Sequence, residues 1–186
     1  MPANFFYAAY SYLDEWMSKD KRFHEVLTCE KADVDANEGR KTLVEVATYY
    51  GVSRTLKVIA GDGVRLESAY RILASTTSSG LDDVPKMVEN FAAELGNVYG
   101  HLPFSAASKF LWMRFRSPIV IYDSLAAAYL AAENRGYDNR NFASFCSAWR
   151  TNYLQNEEEI KAACEELVSI KKFTLASECK DEDVCT

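Results

Sequence analysis

The sequence predicts an all-α protein, and three observations carry that expectation. Apolar residues recur at three- and four-residue steps in segment after segment, the signature of helices with one buried face. Glycine and proline are sparse, 8 and 4 in 186 residues, too few for the tight turns of a sandwich or barrel. Only one stretch, "SPIVIY" (117–122), has the β-branched character of a strand, and one strand makes no sheet.

The elements follow in chain order. Phe5, Phe6, Ala9, Tyr10, Leu13, Trp16 and Met17 form a broad apolar stripe and predict the first helix. "CEKADVDANEG" (29–39) reads as a long polar loop. Leu43, Val44, Ala47 and Tyr50 mark a helix stopped by Gly51, and Leu66, Ala69, Ile72 and Leu73 mark another after "AGDG". At "GLDDVP" an aspartate, Asp82 or Asp83, is placed to cap a helix that tolerates Pro85 in its first turn. Its face is Val84, Val88, Phe91, Leu95 and Val98, and Gly100 ends it. Ser105 or a neighbour is expected to cap a helix reaching about Phe115, which Ser117-Pro118 breaks. Asp123 then opens "SLAAAYLAAE". Two last stripes, Phe142, Phe145, Cys146, Trp149, Tyr153 and Ile160, Ala163, Cys164, Leu167, Ile170, bring the expected number to seven or eight helices. One domain is expected over 1–175, with an acidic tail over 176–186.

Composition narrows the function. Net charge is −6, with nine acids against four bases in 157–186, which argues mildly against a nucleic-acid partner. Yet Arg40, Lys41, Arg54, Lys57, Arg65 and Arg71 crowd the middle, and Lys109, Arg114 and Arg116 follow, so a locally basic face is compatible with an acidic chain. The five cysteines (Cys29, Cys146, Cys164, Cys179, Cys185) show no Cys-x-x-Cys pair and no histidine at metal-ligand spacing, so no metal site and no cofactor are expected. The first 22 residues lack the basic start and uninterrupted apolar run of a signal peptide, and no segment has the ~20 apolar residues of a membrane span. The expected setting is soluble and cytoplasmic.

The chemistry concentrates in "LPFSAASKFLWMRFRSPIVIYDSLAAAYL" (102–130). Lys109 and Asp123 stand there among apolar residues on either side of the proline break, and charges are rarely buried unpaired. From Lys109 to Phe115 a helix climbs about 9 Å. An extended return from Arg116 to Asp123 covers roughly 23 Å, enough to bring the aspartate back beside the lysine at a positive helix end.

This layout resembles the helix-hairpin-helix DNA glycosylases, and most closely the compact bacterial proteins with the 8-oxoguanine-glycosylase fold. "LPFSAASK" is similar to a hairpin reading roughly Leu-Pro-Gly-Val-Gly-x-Lys, and "VIYDS" to the aspartate context that follows it. The specific likeness covers about thirty residues. The hairpin glycines are absent, with Phe104, Ser105 and Ala106 in their place, the lysine–aspartate spacing is shorter, and no iron–sulfur signature is present. The resemblance implies a compact multi-helix glycosylase-like fold and excision of a damaged or modified base from DNA, including modified bases of foreign or phage DNA. It implies Asp123 as the carboxylate that activates the nucleophile, which is either water or the Lys109 amine. As the candidate Schiff-base amine, Lys109 would need a pKa lowered by burial or by a cationic neighbour such as Arg114. Tyr50, Trp112, Tyr122 and Trp149 would wall the base pocket. Ser105, Ser108, Arg54, Lys57, Arg65, Arg114 and Arg116 would meet DNA. The bland readings stand beside these: Asp123 as a helix cap, Lys109 as a solvated lysine, and the whole chain as a non-catalytic helical adaptor or inhibitor with an acidic surface.

Overall fold

A computed structural model describes residues 4–28, 36–59, 63–78, 80–133 and 141–170. The protein is all-α, with no strand among the described residues. The helices are α1 (Phe5–Glu15), α2 (Lys21–Thr28), α3 (Ala36–Tyr49), α4 (Glu67–Ser75), α5 (Val84–Tyr99), α6 (Phe104–Phe115), α7 (Ser124–Glu133), α8 (Phe142–Gln155) and α9 (Glu157–Ile170). A π-helical turn, Trp16–Asp20, makes α1 and α2 continuous, so the described residues form eight helical rods. In "SPIVIY" Ser117 and Pro118 lie in a turn and residues 119–122 join no strand.

By contacts the chain divides into two compact units. The first comprises 1–22 with 150–186. There α1 packs on α9 around Leu13 and Leu167, flanked by Ala9, Met17 and Val168. The acidic tail expected over 176–186 lies outside the described residues. The second unit, 23–149, holds a core drawn from α2 to α8, with Leu43, Val46, Leu73, Val88, Leu95 and Phe110 among its fully enclosed members.

Local sequence explains most boundaries in the second unit. Gly100 ends α5 in the left-handed region at φ 81° and donates its N–H to the Gly96 carbonyl at 2.8 Å, a conformation that costs glycine little. Asp83 occupies the N-cap position of α5 but its carboxylate makes no capping bond; a 3-10 turn over Leu81–Asp83 leads into the helix instead. The polar stretch 29–39 is not loop throughout. Its first residues, 29–35, lie outside the described residues, and Ala36–Gly39 already belong to α3.

Gly39 has a packing reason to be there. A Cβ on it would run into the Tyr70 ring of α4, at 2.6 Å from Cε2 and 2.7 Å from Cζ, with the phenolic oxygen closer still. Gly39→Ala is therefore expected to cost about 1–3 kcal/mol by overpacking, read as a lower midpoint in denaturant. Adding Tyr70→Leu should recover part of the loss, because it removes the obstructing atoms.

Candidate functional site

Helix α6 answers why a lysine sits in an apolar stretch. Ala106, Ala107, Ser108, Lys109, Phe110 and Leu111 are all buried, so this part of the helix is enclosed on nearly every side rather than along one stripe. A charge placed here is surrounded mostly by apolar neighbours. Lys109 is 8% exposed.

Three groups answer the ammonium. Ser105, one turn back on the same helix, accepts from Lys109 Nζ at 3.0 Å. The Tyr50 ring at the end of α3 lies with its centroid 5.9 Å from Nζ, within cation–π range. The third is Asp123, whose charge attracts the ammonium although no carboxylate among the described residues reaches ion-pair distance of it. Burial pushes the Lys109 pKa below its ordinary value, and Asp123 offsets part of that depression. Desolvation penalises the charged form, so a larger share of neutral, nucleophilic amine is present near neutrality than on an exposed lysine.

The return of the chain to this point is held by one buried serine. Helix α6 ends at Arg116, whose φ of 52° and ψ of −107° turn the backbone, with its N–H bonded to the Trp112 carbonyl at 2.7 Å. The Ser117-Pro118 peptide is cis, and Ile119 N–H bonds the Arg116 carbonyl at 2.8 Å. Ser108 Oγ then accepts from the Tyr122 N–H at 2.9 Å while donating to the Ser105 carbonyl at 3.3 Å. That tie fixes Tyr122 against α6 and sets Asp123 next to it. Asp123 Oδ1 accepts from the Leu125 and Ala126 amides at 2.9 and 2.8 Å, so the carboxylate both caps α7 and sits at its positive end.

The remaining candidates divide. Tyr50 joins the lysine. The Tyr122 ring belongs to an aromatic group with Phe145 at 4.9 Å and Phe142 at 6.1 Å, and Phe142 stacks on Phe104 at 5.9 Å. Trp112 packs against the core and Trp149 is 39% exposed. A cleft of about 350 Å³ opens in this unit between residues 75–78 and α5, floored by Met87 and Phe91. Neither Lys109, Asp123 nor any of the four aromatics lines it.

Several expected DNA contacts are corrected. Ser108 is 0% exposed and its hydroxyl is engaged on both sides, which removes it from any phosphate. Ser105 does not cap α6, since Pro103 holds the N-cap position, and its hydroxyl serves the lysine. Arg114 is not what depresses the lysine pKa: its Nη2 donates to the Ala74 carbonyl at 3.2 Å and its guanidinium lies over the Phe115 ring at 5.3 Å. The Arg116 backbone forms the turn that ends α6, and its side chain is partly exposed. Arg54, Lys57 and Arg65 are exposed. The signal for Ser105 was available in the spacing, since residues four apart share a helix face. No comparable signal marks Ser108.

Other chemistry is limited. Burial, and secondarily Glu89, pushes the Cys146 thiol up to about 12, so it stays protonated at neutral pH and is a poor nucleophile. Among the described residues no three His, Cys, Asp or Glu side chains converge to hold a metal, and no helix is long and apolar enough to cross a membrane. Cys29, Cys179 and Cys185 lie outside the described residues.

The fold and site thus define an all-helical protein with a buried lysine set beside a helix-capping aspartate. Comparison with family models, with curated proteins and with solved structures finds no match.

Proposed function

We propose that the protein is a DNA N-glycosylase that removes a modified base, with bases of foreign DNA as the substrate class that the resemblance of 102–130 favours. The observation that carries this reading is the pairing of a buried amine of lowered pKa with a carboxylate that holds its place through a helix cap. The target nucleotide leaves the stack before reaction. As the bond from sugar to base breaks, the base departs with the bonding electrons and the sugar gains positive charge, which the Asp123 carboxylate stabilises. The neutral Lys109 amine attacks C1′ and its proton passes to Asp123; the C1′–O4′ bond then breaks, giving a protonated imine, and the proton held by Asp123 goes on to O4′. Ser105 and Tyr50 position the amine for this attack.

The competing reading is a helical adaptor or inhibitor without catalysis. It draws support from α7, where Leu125 is 83% and Tyr129 51% exposed, and from the cap, which engages Asp123 without any reaction. Panels of unmodified DNA and DNA with modified cytosines or oxidised purines, scored for abasic sites and strand breaks, separate the two. Base loss from at least one panel supports the glycosylase. An inert wild type across all of them supports the adaptor.

A further inference from the structure

The segment that follows Tyr50 bears three exposed cations on a firm base. Val52 and Leu56 are buried, four residues apart, and Leu66 is buried where the segment re-enters α4. Thr55 N–H and Oγ1 both bond the Val52 carbonyl, at 3.1 and 2.7 Å, forming a turn that points Val52 and Leu56 inward. Arg54 and Lys57, three apart, are exposed. Arg65 Nη2 reaches back to the Ser53 carbonyl at 3.1 Å and closes the two ends of the segment together.

Nearby acids do not quench this group. Glu67 is shared by Arg40 at 3.5 Å and Arg71 at 3.0 Å. Arg40 is largely buried and also bonds Asn37 Oδ1 at 2.6 Å and the Arg65 carbonyl at 3.5 Å, so it acts as a strut beneath Arg65. Among the described residues no carboxylate lies within ion-pair distance of Arg54, Lys57 or Arg65; Asp62, in the same stretch, lies outside them. Long cations held without acidic partners on an anchored turn suit a polyanion. The group begins four residues beyond Tyr50, no more than about 14 Å of chain, while Tyr50 itself underlies the Lys109 ammonium.

We infer that Arg54, Lys57 and Arg65 form the phosphate clamp that holds the DNA backbone on either side of the nucleotide presented to Lys109. The inference rests on the glycosylase reading and moves the anchor away from the hairpin, where Phe104, Ser105 and Ala106 replace the glycines that would let backbone amides approach a phosphate. The three cations neutralise phosphates and release counterions, a term that dominates non-specific affinity.

The test reads binding of unmodified duplex DNA by the full chain as salt rises from 50 to 200 mM, so no excision is needed. The variant Arg54→Gln/Lys57→Gln/Arg65→Gln is expected to flatten the slope of log affinity against log salt by two to three units, at about 0.9 per phosphate released. The wild type should then lose about fortyfold more affinity than the variant across that range. Should the triple variant unfold, Arg54→Gln/Lys57→Gln, which keeps the Arg65–Ser53 bond, is expected to lose close to two units. Lys161→Gln removes one positive charge from α9 and should leave the slope unchanged. A folded variant with wild-type slope overturns the clamp, as does a wild type that binds no duplex at 50 mM salt. Excision with an unaltered slope refutes the clamp alone, whereas a flattened slope without excision from any panel upholds the clamp and refutes the glycosylase.

Discussion

Asp123→Asn is expected to lower the rate of base release by about 10²–10⁴-fold, the range a positioned acid–base group contributes, while the fold survives. The asymmetry comes from the two duties of one side chain. Asparagine is as good an N-cap as aspartate and keeps an oxygen for the Leu125 and Ala126 amides. Only the negative charge at the helix end is lost, at a cost below about 1 kcal/mol. Asp123→Ala removes both duties, so it should lose activity and a further ~1 kcal/mol of stability. Rates and unfolding curves of the two variants together distinguish a cap from a catalyst. Full turnover in Asp123→Asn with destabilisation in Asp123→Ala would reduce the residue to a cap.

Lys109→Met should abolish excision and raise stability at the same time. The methionine keeps most of the length and apolar stem in an enclosed part of α6 while removing a charge whose burial is disfavoured. Proton linkage gives this a direction in pH. The native state holds the lysine pKa below 10.5, so over the window below that value the unfolded chain binds more protons than the folded one. Wild-type stability therefore gains from this group as pH climbs toward 10.5, and Lys109→Met should lack that gain. Denaturant unfolding of both proteins between pH 7 and 10 checks the sign. A variant less stable than wild type at pH 7 would mean that Ser105, Tyr50 and Asp123 together more than repay the burial.

The helices were legible because each carries a stripe or a stop signal that acts locally. Gly100 ends α5 and Asp123 opens α7 as their types require. What the stripes cannot tell is which surface covers them. The apolar face of α1 predicts burial, but nothing in its own residues says that α9, some 150 positions later, provides it. Serines misled for a related reason. A hydroxyl reads as surface, and Ser105 and Ser108 were natural candidates for phosphate, whereas packing α6 on several sides turned one into the lysine's acceptor and the other into the clasp on Tyr122. Arginines posed the opposite difficulty. Arg54 and Arg114 look alike in a list of bases, yet one ends exposed on an anchored turn and the other bonded to the Ala74 carbonyl. That Asp123 comes near enough to Lys109 for its charge to be felt agrees with the reach of the chain after the proline break.

Borohydride trapping tests the amine most directly. Full-length protein is incubated with DNA carrying the base it removes, reduced with sodium borohydride, digested, and the protein–DNA adduct mapped to a peptide. The account predicts a single covalent adduct on Lys109, absent from Lys109→Met and strongly reduced in Asp123→Asn. Base release that proceeds with no trapped adduct, or an adduct on any other lysine, would contradict it.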